Sequence, residues 1–373
     1  MVGLPQISNI LTRMKRSFPE RDLGLEGLRA ISIFGVFLFH LFKPLFDVEP
    51  RTNDFVSIFE LGKFGVQLFF LISGYVIASS LRRHNRFFLY ARSRFMRLFP
   101  ALLTIHLMFL LHYFWFNNFE VTANGLLEIL LSATLIDPNV VNILFGSAFS
   151  WTTGVLWSLS VELVFYTIAG VGVYLFKVKS HYSVSLSITI FTIAHYSISL
   201  FSTSSLINKL EAHLWGNYVL YLPWFALGSL FYEMRNLKRV PIMEVLLFGF
   251  LTCYLIFSMS QSSGYEGLIR QVTLTLLPIG LLLLFSQSLK GTTLRSLIQK
   301  RPLLFFGSIS YEFYLIHEII IHCISNKFQL LPYGNSKLEL TDYFLIGLFS
   351  LLLSTFLALL LRSISNKLRE RLT

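Results

Sequence analysis

Charge is scarce in this chain. Only 14% of its 373 residues are Asp, Glu, Lys or Arg, 54% are hydrophobic, and mean hydropathy is +0.64. A soluble fold dresses its surface with about 25% charge, so a soluble globular domain is excluded, and disorder, collagen and coiled coil fall on the same numbers. Cysteine is nearly absent: Cys253 and Cys323 both lie in apolar runs, which removes a disulfide scaffold and a Cys-based zinc site. No repeat with a period of roughly 20–50 residues occurs, and no Gly/Ser/Pro linker is long enough to part domains. A Walker loop and a G-x-G-x-x-G after a strand are missing, so ATP-driven transport and dinucleotide chemistry lack support. G-x-S-x-G and H-E-x-x-H are missing too.

What is there is apolar sequence in membrane-sized runs. About 20 such residues cross the hydrocarbon as a helix. Ten runs qualify, at roughly 25–46, 62–81, 98–116, 154–176, 184–202, 216–233, 241–259, 268–288, 303–324 and 343–362. A weaker stretch, 124–136, is too short and carries Glu128; it is expected to be a re-entrant or interfacial segment. The expected fold is an all-α polytopic membrane protein of about ten transmembrane helices, with both termini cytoplasmic. Its divisions are a cytoplasmic segment 1–24, a single transmembrane domain 25–362 and a basic cytoplasmic tail 363–373.

Orientation follows from the basic residues. With the N-terminus inside, 24 of the 31 Lys and Arg fall in cytoplasmic segments or at the inner end of the first helix, as the positive-inside rule requires. Counting 124–136 as a full span would invert every later loop and destroy the pattern. The formal charge of +11 therefore reports topology, and no nucleic acid is expected as partner. The first apolar helix follows a basic stretch but holds Arg29 and His40 and has no small-residue cleavage site after it, so it stays as a span and is not removed as a signal.

Ionisable residues inside spans mark sites that face the bundle interior. The clearest are His40, Glu162, and His317 with its neighbour Glu318. At about 1.5 Å per residue, His40 lies about 22 Å from the inner end of its helix, His317 about 21 Å from the same face, and Glu162 about 12 Å from the outer end of its own. These depths put the three at one level, in the outer half of a core about 30 Å thick. Arg29 and His40, 11 residues apart, share one helix stripe. Ser158 and Glu162 are i, i+4 neighbours, and Ser310, Tyr314 and His317 follow i, i+4, i+7. A lone intramembrane histidine usually serves as an interhelical hydrogen-bond partner, and His106, His112, His195 and His322 belong to that class. An imidazole beside a carboxylate accepts a proton near neutral pH, the property of a general base; His40 has such a carboxylate at its predicted depth.

The segment from Arg82 to Arg97 packs six arginines into 16 residues. As topology it is the strongest positive-inside loop; as chemistry, Arg94 and Arg97, spaced i, i+3 ahead of Pro100, form a guanidinium fork suited to phosphate or carboxylate.

These residues in this order resemble the acyltransferase-3 family of polytopic membrane O-acyltransferases, which modify bacterial surface polysaccharides. Glu26-Gly27-Leu28-Arg29-Ala30-Ile31 leading to His40 resembles the family's first helix, and Gly65 through Ser73, Gly74 and Tyr75 its second. Arg94-x-x-Arg97-x-x-Pro100 is similar to its cytoplasmic R-x-x-R-x-x-P, Trp157-Ser158-Leu159-x-x-Glu162 to its Trp-Ser-Leu-x-x-Glu, and Ser310-Tyr311-x-x-Tyr314-Leu315-x-His317 to its late Ser-Tyr-x-x-Tyr-Leu-x-His. Departures are Gln67, Leu163 and Ile319, where the family often has Asp, Glu and Pro; Gln67 is accordingly given no proton role. The hydrolase-like extracytoplasmic domain of some members is not expected here.

The resemblance implies an O-acetyltransferase of the bacterial inner membrane with no permanent cofactor or metal and with acyl-CoA, acetyl-CoA foremost, as co-substrate. Arg94, Arg97 and Arg29 would hold its phosphates. His40, oriented by a carboxylate such as Glu162, would deprotonate a hydroxyl of an extracytoplasmic or lipid-linked saccharide such as O-antigen, capsule or exopolysaccharide. Ser73, Trp157, Ser158, Ser310, Tyr311, Tyr314 and His317 would line the pore or the acceptor end. The competing reading is a proton-coupled transporter or flippase, which would use the same His/Glu groups, although no matching Gly/Pro-broken segments appear in two halves. Neither oligomeric state, nor the acceptor sugar, nor a choice between direct transfer and an acyl-enzyme follows from the sequence.

Overall fold

A computed structural model describes residues 22–48, 58–116, 122–175, 188–190, 208–209, 213, 218–236, 240–260, 268–327 and 340–372. Among them the regular structure is helical, without a strand, because backbone polar groups in lipid must be paired within their own segment. In chain order the helices are α1 (Leu23–Val48), a 3-10 turn (Leu61–Phe64) running into α2 (Gly65–Arg83), α3 (Phe87–Phe116), α4 (Ala123–Thr134), α5 (Pro138–Phe145), α6 (Leu156–Tyr174), α7 (Leu222–Asn236), α8 (Ile242–Ser260), α9 (Leu268–Leu289), α10 (Thr293–Ile298), α11 (Arg301–Lys327) and α12 (Leu340–Leu372).

Eight of these helices among the described residues (α1, α2, α3, α6, α8, α9, α11 and α12) are long and apolar enough to cross a membrane. Two of the roughly ten expected runs are not among these eight. The run at 216–233 is helical as α7 for only 15 residues, about 22 Å at the standard rise, and the run at 184–202 lies outside the described residues except for 188–190. The 124–136 stretch folds as α4, 12 residues long and N-capped by Thr122. It stops at Leu135, whose φ of 60° is left-handed, and Asp137 then N-caps α5. Two short helices with a turn between them fit a re-entrant or interfacial segment and cannot span.

The centre of the bundle is α2, the most buried of the eight spans; α8, α9 and α12 are the least buried and carry exposed Leu and Phe, such as Leu246, Leu283, Leu352 and Phe356, where lipid would lie. Helices in lipid associate by close packing rather than by hydrophobic exclusion, and small residues permit it. Here Gly74 of α2 lies against the Phe225 carbonyl of α7, and Gly228 of α7 against the Leu71 carbonyl of α2, so a Cβ at either position would strike backbone.

The site is framed by α1 and α11. A ladder of ring contacts joins them: Phe34 with Phe306 (centroids 4.7 Å apart), Phe37 with Phe313 (5.8 Å) and His40 with His317 (5.1 Å). Ascending numbers pair with ascending numbers, so the two helices run parallel and carry their late histidines to the same end. α12, 33 residues long, continues through residues 363–372 of the tail; there Arg369 donates to the Arg97 carbonyl (3.0 Å), and just before the tail Arg362 donates to Ser308 (2.8 Å). The basic tail is thus helix rather than a loose end.

Candidate active site

Two tiers of polar side chains occupy the bundle. The outer tier forms around His40 and Glu318. The His40 Nδ1 is 3.5 Å from the Glu318 Oε1. The other carboxylate oxygen of Glu318 is anchored at the start of α6, accepting from the Thr153 hydroxyl (2.6 Å) and from the Val155 N–H (3.2 Å). Between these two anchors lies Gly154, where a Cβ would come within 2.6 Å of the Glu318 carboxylate. Glu318 therefore sits at a helix N-terminus, where unpaired N–H groups and the helix dipole favour a negative charge.

His317 completes this tier. It is fully buried, stacked on Phe313 with ring planes 11° apart, and its Nδ1 lies 2.9 Å from the Tyr314 carbonyl. A carbonyl only accepts, so Nδ1 carries the proton and Nε2 is left as an acceptor. That Nε2 is buried with no hydrogen-bond partner among the described residues. The Tyr314 hydroxyl is shared with Ser158 (2.7 Å) and the Val155 carbonyl (3.2 Å), so α6 and α11 are pinned together immediately below His317. Ser310 is buried one turn before Tyr314.

The inner tier centres on Glu162. Its Oε1 accepts from the hydroxyls of Ser73 (2.6 Å) and Tyr166 (2.5 Å), and the carboxylate acts electrostatically on both Arg94 and Arg97. The Tyr311 hydroxyl donates to the Leu98 carbonyl (2.9 Å), which fixes α11 against α3 at this level. Glu26, one turn before Arg29, forms an ion pair with it (2.9 Å) and lies within electrostatic reach of Arg97.

This arrangement corrects one expectation. Glu162 does not share a level with His40: Val155, which touches Glu318, precedes Glu162 by seven residues on α6, about 10 Å at the standard rise. The carboxylate against His40 is Glu318, and Glu162 belongs to the arginine tier. The R-x-x-R pair is also divided. Arg94 lines a cleft of about 440 Å³ between α3 and α6, and Arg97, one turn on, is not among its lining residues. Trp157 stands apart from the polar tiers, packed against Tyr221 (4.9 Å) and Phe70 (6.4 Å). Gln67 has a buried Oε1 without a partner among the described residues.

Of the four histidines expected to be interhelical hydrogen-bond partners, His106 instead bonds within its own helix, its Nδ1 2.8 Å from the Leu102 carbonyl and its buried Nε2 without a partner among the described residues. His322 is exposed, and His195 and the side chain of His112 lie outside the described residues. Sequence reasoning singled out Glu318 as a titratable group but gave it no role, and it passed over Thr153 and Tyr166. The available signals were an acidic residue adjoining the late histidine and a tyrosine at i+4 from Glu162. Among the described residues no cluster of three or more His, Cys, Asp or Glu is arranged to hold a metal.

Comparison with known proteins places nearly the whole chain in one family. The family described as Acyltransferase domain, the acyltransferase-3 family, matches residues 22–362. Nodulation protein 10 of Rhizobium leguminosarum bv. viciae is 27% identical over 158 residues, which cover 38% of this chain and 42% of that protein; the chain thus spans less than half the length of that curated relative. No solved structure matches. With its motifs in register and the match running from residue 22 to residue 362, the chain belongs to the acyltransferase-3 family and is a multi-pass membrane protein.

Proposed function

We propose that this protein is a membrane O-acyltransferase that moves an acyl group, acetyl in the first place, from cytoplasmic acyl-CoA to a hydroxyl of an extracytoplasmic or lipid-linked saccharide. The observation that carries the reading is the His40 imidazole set against a carboxylate, Glu318, that is itself anchored on a helix N-terminus. Nδ1 faces the carboxylate, so Nε2 is the nitrogen that takes a proton. The saccharide hydroxyl loses its proton to Nε2 as its oxygen bonds to the thioester carbonyl carbon. The C–S bond then breaks, and the imidazolium returns the proton to the departing sulfur, which leaves as the CoA thiol. The Glu318 carboxylate stabilises the imidazolium between the two steps, and the unpartnered Nε2 of His317 accepts a hydrogen bond from the saccharide and orients it.

The donor's phosphates lie at the inner face on Arg97 and Arg29, while Arg94, the third expected phosphate ligand, lines the lateral cleft instead; the pantetheine arm extends toward His40 past the Glu162 tier. The Tyr314 hydroxyl is committed to Ser158 and the Val155 carbonyl, so its role is to hold α6 and α11 together rather than to meet the oxyanion. The test is thioester consumption. Membrane vesicles containing the protein, given acetyl-CoA and surface polysaccharide stripped of its esters by mild alkali, release CoA thiol in step with ester formation on the polysaccharide. A carrier would release none, and that result would overturn the reading.

A further inference from the structure

The cleft between α3 and α6 is not used by the acyl transfer, and its chemistry points elsewhere. Its walls are apolar and largely aromatic, with Phe88, Phe95, Leu98 and Leu163 among them, and Arg94 and Tyr166 also line it. Phe88 is 73% exposed and Phe95 43%, so the cleft opens sideways on a flank of the bundle where the bilayer lies. Its lining runs from Phe87 to Phe99 on α3, next to the arginine-rich turn that marks the cytoplasmic end. An apolar recess facing lipid tails takes up an acyl chain, because a void there would forfeit the contacts of its lining.

The charge in the recess selects which chain. Arg94 gives Nε and Nη2 to the Ser93 hydroxyl (3.2 and 3.0 Å), and its guanidinium carbon is 5.8 Å from the centre of the Tyr166 ring. Its Nη1 is buried with no acceptor among the described residues. A buried guanidinium N–H without an acceptor is costly, and an anion satisfies it. α3 runs outward, so its side chains lean back toward the cytoplasmic end, and a long arginine reaches from within the helix toward the headgroup layer.

We propose that this cleft is a binding site for an anionic phospholipid of the inner leaflet, with one acyl chain along the Phe88–Phe95 wall and the phosphate on Arg94. The occupant is not the acyl donor, whose transferable carbon has to reach His40 at the opposite end of α1. Nor is it the acceptor, which arrives from the outer side. The assignment stands whether or not the proposed acyl transfer is correct.

Native mass spectrometry tests it on the full-length protein purified in mild detergent and exposed to an equimolar mixture of dioleoyl phosphatidylglycerol and dioleoyl phosphatidylcholine. The wild type should retain one phosphatidylglycerol, preferred about tenfold, the equivalent of one charge-assisted hydrogen bond. General attraction of anionic lipid to the basic loops is separated by filling the cleft without altering charge. Thr167→Phe, at an exposed lining position, and Ala91→Phe should each lose the bound lipid, whereas Arg86→Gln, in the loop outside the cleft, should keep it. Arg94→Gln should abolish the preference between the two lipids. Equal retention of both lipids by the wild type would mean apolar filling only, and retention of phosphatidylglycerol by both filled variants would mean binding elsewhere; either result overturns the proposal.

Discussion

Glu318 faces His40 with its Oε1 3.5 Å from Nδ1, while Glu162, the acidic residue of the better-known motif, is bonded to Ser73 and Tyr166 one tier further in. Each carboxylate has a distinct set of partners, so removing each should have a distinct consequence.

Replacing His40 by Ala removes the proposed base. CoA release in the vesicle assay should fall by about 10²–10⁴-fold, the usual contribution of general base catalysis, with the protein still present in the membrane at wild-type level by immunoblot. Activity within a factor of a few of wild type would exclude His40 as the base.

Glu318→Gln keeps an oxygen for Thr153 and Val155 but removes the charge facing the imidazole. The turnover rate should drop about 10–100-fold, as expected for loss of one hydrogen bond to a charged group, with KM for acetyl-CoA unchanged. Glu162→Gln should instead show mainly in stability, because the Ser73 and Tyr166 hydroxyls lose a charged acceptor. A loss of about 1–3 kcal/mol, read as a lower thermal midpoint in detergent, is the expected sign.

Gly154→Ala is the backbone counterpart of the Glu318 variant. A Cβ at 2.6 Å from the carboxylate pushes it off its seat, so this variant should copy the kinetic defect of Glu318→Gln while unfolding at a temperature close to wild type. By contrast, Gly74→Ala places its methyl against the Phe225 backbone, which cannot give way, and should reduce the amount of folded protein.

Arg97→Gln should raise KM for acetyl-CoA about tenfold, the cost of one charged hydrogen bond, with a smaller change in turnover. Added salt should narrow the gap between variant and wild type, since the lost interaction is one that salt also weakens in the wild type.

Much of this architecture was legible in the sequence because lipid leaves few options: runs of about 20 apolar residues are helices, and basic loops give their orientation. The pairing of His40 with His317 was readable from depth, since α1 and α11 run parallel and carry the two histidines at similar distances from their starts. Glu162 was misplaced by the same arithmetic. Depth counted from a common surface assumes that every helix ends there, but α6 begins at Leu156, already at the level of His40 and Glu318, so counting down from it leads deeper. Glu318 went unassigned because neighbours on a helix point about 100° apart, and only the start of α6, far away in sequence, shows what the side chain meets. The Arg94 cleft had no sequence signature, since it exists only between the surfaces of two helices.

The seat of Glu318 is built from residues 163 and 165 positions earlier in the chain, and the imidazole it serves comes from the first helix. On the proposed mechanism, the proton acceptor is complete only once α11 has joined α1 and the start of α6, so no earlier stage of insertion can squander thioester on water. Turnover in a membrane sample would therefore count only molecules whose insertion is finished.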